Sequence, residues 1–318
     1  VINLRYHIVS LVAVFLALAL GIVMGSTVID RAIVDGLRNR VESVNSRASK
    51  IDSENKTLHD QLTTMQGFAD QARDQLVEGR LKGLPVLVVT VQGVDRKPVE
   101  SLRDALSVAQ AVPAGTLLFT NKLRLDNDSD MRALATALNV APTSADTVRR
   151  QALNRLAGTL DGTSAEGNLI PTLSAAGFVG YEPPSPATTT STLGLSSFPV
   201  AGLRVVLVSG AGAEVGDDKV AVPFAEALVS QVSAVTLGGA SRLVAAESGV
   251  DTPGGRAVFV GPLRADGSLA PKLSTVDNLE SPIGQAAVVL ALADLDVPRT
   301  GNYGVGPGAQ RLLPAVEP

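Results

Sequence analysis

PVLVVTVQGVD, residues 85–95, is the stretch on which the fold turns. Val86 to Val91 is apolar except for Thr90. Such a run, rich in Val and too short for a helix, reads as a strand buried on both faces of a parallel sheet. Gly93 and Asp95 then mark a turn. Val99, Leu102, Leu106 and Ala109 follow at helical spacing, which predicts a helix over 99–112. TLLFTNKLRL at 116–125 reads as the next strand and DNDSDMRALATAL at 126–138 as the next helix, capped by Ser129 or Asp130.

The pattern returns further on. LRVVLVSGAGAE (203–214) repeats the order of apolar strand and small-residue turn, VPFAEALVSQV (222–232) supplies a helix, and VTLGGASRLV (235–244) echoes TLLFTNKLRL. RAVFVGPL (256–263) reads as another buried strand and SPIGQAAVVLALADL (281–295) as a closing helix. Strands alternating with helices give a layered α/β domain with a largely parallel sheet over 84–318. Two related βαβ units, joined by a Pro/Thr/Ser-rich segment at 183–193, are one reading of the echo.

Upstream the periodicity changes. From Val34 the apolar positions alternate by three and four through Leu37, Val41, Val44, Ala48, Ile51, Asn55, Leu58, Leu62, Met65, Ala69, Ala72 and Leu76. That spacing holds for about six heptads without a proline and predicts a coiled-coil stalk over 30–80. Branched residues at a, leucines at several d positions and Asn55 at one a position favour a parallel homodimer. Its interface would comprise Val34, Leu37, Val41, Val44, Ile51, Asn55, Leu58, Leu62, Met65 and Leu76. At 1.5 Å per residue the seam covers on the order of 60 Å.

Before the stalk, residues 8–29 carry no charge over a length sufficient to cross a bilayer. No small-residue cleavage site follows, so this segment reads as a single uncleaved transmembrane helix behind a short cytoplasmic tip, together residues 1–29. Arg5 precedes it, while Arg31, Arg38 and Arg40 follow, offset by Asp30 and Asp35. These charges set no clear orientation. The expected placement is the plasma membrane, single-pass, with stalk and α/β domain on the periplasmic side; outer-membrane association is the alternative.

Composition narrows the function. The net charge of −4 and the scattered Lys and Arg leave no nucleic-acid footprint. Cysteine and Trp are absent, and seven Phe with three Tyr are too few for the aromatic girdles of a membrane barrel. GAGAEVG (210–216) follows a strand, as a phosphate loop would, but its spacing departs from the dinucleotide fingerprint and a plain turn is the better reading. DNDSD (126–130) has the alternating carboxylates of a calcium loop, yet Met131 stands where that loop needs Gly. His7 and His59 have no metal partners at useful spacing, and Met24, Met65 and Met131 are far apart. No nucleophile and acid–base set can be assembled, so no catalytic, cofactor or metal residue is assigned and the chain reads as a non-enzyme.

NLRYHIVSLVAVFLALALGIVMGS, the heptad stalk, the α/β segments and the late STVDNLESPIGQAAVVLALA together resemble the MctB, or mycobacterial copper transport protein B, family of actinobacterial envelope proteins. The resemblance covers essentially the whole chain. It implies a role in copper efflux or resistance through a proposed outer-membrane pore, and an association with the control of cell separation through a partner acting on peptidoglycan hydrolysis. Two expectations follow. One is a membrane-anchored dimeric scaffold that binds a cell-division or cell-wall partner. The other is a copper-efflux component of the envelope, with copper as a partner for which the sequence supplies no ligand set.

Overall fold

The computed structural model describes residues 4–164, 166–184, 201–231, 242–249, 258–296 and 299–315, without the side chains of 26–35 and 231. The chain divides into two compact units, Val1–Gln66 and Gly67–Pro318.

One helix, α1 (Leu4–Val77), runs 74 residues through the first unit into the second. Its apolar span among the described residues is Leu4–Gly25, 22 residues of mean hydropathy 2.8, long enough to cross a bilayer. The span thus begins four residues before the expected start of the uncharged run, because Leu4 and Tyr6 extend the apolar helix past Arg5.

The last turns of α1 belong to the α/β unit. Val77 is fully buried and Leu81, just beyond the helix, joins the same core. The connecting backbone is clipped to the end of the next helix, with Gly79 N–H donating to Val108 O and Leu81 N–H to Ala109 O. Arg73 pairs with Asp70 and Asp74 and donates to Gln285 Oε1 at 2.7 Å.

Seven strands form one sheet: β1 (Pro85–Val91), β2 (Val112–Phe119), β3 (Val179–Glu182), β4 (Arg204–Gly210), β5 (Leu243–Ser248), β6 (Ser274–Val276) and β7 (Asn302–Tyr303). Their order is β3-β2-β1-β4-β5-β6-β7, and every neighbouring pair is parallel except β2 with β3. The chain builds outward from β1 to β3, returns to lay β4 against the other side of β1, then builds outward again. The two halves that echo each other in sequence are therefore the two wings of one sheet, centred on the β1–β4 pair. Every residue of β4 is buried, as a strand covered on both faces must be.

The helices are α2 (Arg96–Val108), α3 (Asp128–Leu138), α4 (Ala145–Asp161), α5 (Leu169–Ala175), α6 (Ala221–Gln231), α7 (Val260–Ala265) and α8 (Pro282–Ala293). They pack in two groups, α2 with α8 and α4 with α3 and α6. Phe119 of β2 meets Phe224 of α6 edge to face, ring centroids 4.9 Å apart.

Several expectations are corrected. The helix after β1 runs over Arg96–Val108 rather than 99–112, starting behind the Asp95 cap and ending early because Gln110 turns with positive φ and Val112 already pairs with Pro85. The strand expected over 116–125 ends at Phe119 and becomes a 3₁₀ turn, Asn121–Arg124. The cap of α3 is Asn127, which accepts from Asp130 N–H; Ser129 Oγ donates to the same Asn127 oxygen. The described part of the strand expected over 256–263 holds helix α7, since Glu247 accepts from Val258 and Val260 N–H and so satisfies a first helical turn. A short buried apolar run does not distinguish the two by periodicity. The Pro/Thr/Ser-rich segment from 185 and residues 235–241 lie outside the described residues.

Candidate functional site

Open α/β sheets bind ligands in the crevice at the strand C-termini where the chain order reverses, here between β1 and β4. This chain fills that crevice with its own backbone. Glu214 N–H donates to Gln92 O at 2.7 Å, and Asn121 Nδ2 donates to Glu214 Oε2 at 2.9 Å. A side chain at Gly93 would collide with Gly212 O, and both residues have positive φ. The glycines of GAGAEVG therefore let two loops touch. They are spent on protein contacts, which agrees with reading this loop as a turn.

Beside the closed crevice lies an open cleft of about 740 Å³. It is lined by the loop Gly210–Gly216, by Arg150 of α4 and Glu226 of α6, and by Asp217 and Asp218 in the turn before α6. Asp217 is half-buried and accepts from the buried Ser209 hydroxyl. Burial raises its pKa, the Ser209 bond opposes this, and the neighbouring charge of Asp218 adds to it. Glu247, on β5, is 1% exposed. Burial raises its pKa too, against the three backbone N–H groups of residues 258–260, and Asp217 raises it further.

The late motif STVDNLESPIGQ forms a second polar cluster. Asp277, fully buried past the end of β6, pairs with Arg264 at 2.7 Å and accepts from Val305 and Gly306 N–H. Arg264 also donates to Thr275, Tyr303 O and Pro307 O. Ser281 caps α8, and Gln285 receives Arg73. These contacts fasten strand ends, the closing segment and the end of α1 to one another. None of these residues lines the cleft beside the glycine loop.

Of the expected dimer-interface residues, Leu37, Val41, Val44, Ile51, Leu58, Leu62 and Met65 are all strongly exposed on α1, with Asn55 among them. Leu76 is half-buried and packs against the α/β core; the side chain of Val34 is not described. His7 and His59 are exposed on α1, far apart in sequence. Among the described residues no three His, Cys, Asp or Glu side chains are grouped to hold a metal ion. The cleft and the Arg264–Asp277 cluster escaped sequence reasoning, because their members come from segments far apart along the chain.

A family model described as copper transport outer membrane protein, MctB, matches residues 1–314. The chain is 26% identical to a protein named copper transporter MctB from Mycobacterium bovis, and equally to one of that name from Mycobacterium tuberculosis, over 98% of each chain. One of the same name from Mycobacterium leprae is 27% identical, again over 98% of both. The family description overturns the expected plasma-membrane placement in favour of the outer-membrane alternative. The error has a physical origin: helix length and hydropathy specify a bilayer, not which bilayer. A transport family also fits a non-enzyme. With a model spanning almost every residue and relatives aligned end to end, the chain belongs to the MctB family.

Proposed function

We propose that this protein is a copper-handling component of the cell envelope that works as a parallel coiled-coil dimer. The observation that carries the dimer is the uncovered seam: Leu37, Val41, Ile51 and Leu58 are 55–56% exposed at heptad spacing on one continuous helix. A monomer would leave that stripe in water, whereas pairing buries it. The names of the relatives supply copper. The one membrane-length apolar helix among the described residues does not by itself enclose a channel, so passage of copper through such a helix would require several copies.

The test is a deletion strain complemented with wild type or with Leu58→Asp, scored for cell-associated copper. Copper should rise in the deletion, return to normal with wild type and stay high with the seam variant. Normal copper in the deletion would sink the reading.

A second reading is a scaffold that binds a cell-division or cell-wall partner. The closed β1–β4 crevice favours it, because a fold whose usual ligand site is filled has other parts of its surface left for recognition. Defective cell separation with normal copper in the same deletion strain would select this reading over the first.

A further inference from the structure

The cleft beside the glycine loop is lined by side chains of both charges. Arg150 comes from α4, whereas Asp217, Asp218 and Glu226 come from the turn before α6 and from α6 itself. Among the described residues no ion pair joins Arg150 to these carboxylates. Val222, Pro223, Val258 and Pro262 supply apolar lining to the same cleft. The volume of about 740 Å³ suits a small organic ligand. A bare metal ion needs grouped ligands, which the described residues lack, and a simple anion would meet three carboxylates.

We propose that this cleft binds a basic zwitterion: an amino acid or peptide end carrying one carboxylate and a side-chain amine on an aliphatic stem. Arg150 takes the carboxylate, for which its planar fork is suited. Asp217, Asp218 and Glu226 take the ammonium groups, and Val222 and Pro223 lie along the methylenes. One positive and three negative groups on the protein thus face one negative and two positive groups on the ligand. Arg150 in the lining separates this ligand from a plain polyamine, which it would repel. The proposal stands apart from copper and from the coiled coil.

The test is calorimetric titration of the detergent-solubilised full-length protein with L-lysine, L-lysine amide, Nε-acetyl-lysine and the dipeptide Ala-Lys. Saturable millimolar or tighter binding of lysine or Ala-Lys is expected; binding of both identifies a free amino acid as sufficient, and binding of the dipeptide alone identifies a peptide end. For whichever ligand binds, removing its carboxylate should weaken binding about tenfold in wild type and change nothing further in Arg150→Ala. Acetylating its side-chain amine should do the same in wild type and nothing further in Glu226→Gln. Arg150 and Glu226 are exposed, so both variants should keep the wild-type melting temperature. No binding of either ligand, or losses of equal size in wild type and variants, overturns the proposal.

Discussion

Asp277 and Arg264 are 0% and 3% exposed, and each satisfies the other together with several backbone groups. Asp277→Asn removes the charge that compensates a buried guanidinium and should destabilise the α/β unit by about 3 kcal/mol. Urea unfolding followed by circular dichroism would show it as a lower midpoint with unchanged slope; an unchanged midpoint would mean that water reaches Arg264. Asp217 makes a subtler prediction. Its folded pKa is raised above the ordinary 3.8, chiefly by burial. Between those two values the folded chain holds more protons than the unfolded one, so this group's contribution to stability falls as pH rises through that window. Glu247 contributes with the same sign. Asp217→Asn cannot ionise yet can still accept from Ser209, so its stability should gain on wild type as pH rises from below 3.8 towards neutrality. A difference that shrinks over the same range would contradict the burial argument.

At the scale of elements, legibility followed period and length. The long heptad helix and the Val-rich strands β1 and β4 were readable because each pattern is strong within its own segment. β6, three residues long, and β7, two residues long, were not. Their place in the sheet depends on the buried Arg264–Asp277 cluster, which joins residues too far apart for any local pattern to announce. The helix α7 is not legible in the sequence because the bonds from Val258 and Val260 N–H to one carboxylate, Glu247, decide a choice that hydrophobicity leaves open. The cleft was invisible for the same reason, since Arg150 and Glu226 meet it only through the packing of α4 on α6. The proposed coiled coil permits a sharper test at this scale. Asn55→Leu should raise its thermal stability while relaxing its choice of register or oligomer, because a lone polar a position trades stability for specificity. Light scattering coupled to size exclusion should then show a mixture of species; a single dimer would mean that Asn55 does not set the pairing.

For the whole molecule the question is where the α/β unit begins. Strand β1 starts at Pro85, so 84 is a natural boundary by sequence, but the core reaches back along the chain. Val77 and Leu81 are fully buried, and each contributes roughly 1.5–3 kcal/mol by leaving water. Arg73 adds its bond to Gln285, and the backbone from Gly79 to Gly83 is fastened to the end of α2. Together these contacts amount to about 3–6 kcal/mol from the two side chains alone, a large part of what a domain of this size has in total. A fragment comprising residues 67–318 should therefore fold, soluble and with a cooperative melt. One comprising 84–318 should melt far lower or aggregate, exposing the floor that Val77 and Leu81 cover. Equal melting temperatures would show that the end of α1 is only laid against the domain. The predicted difference instead makes the last turns of the helix an integral part of the α/β core.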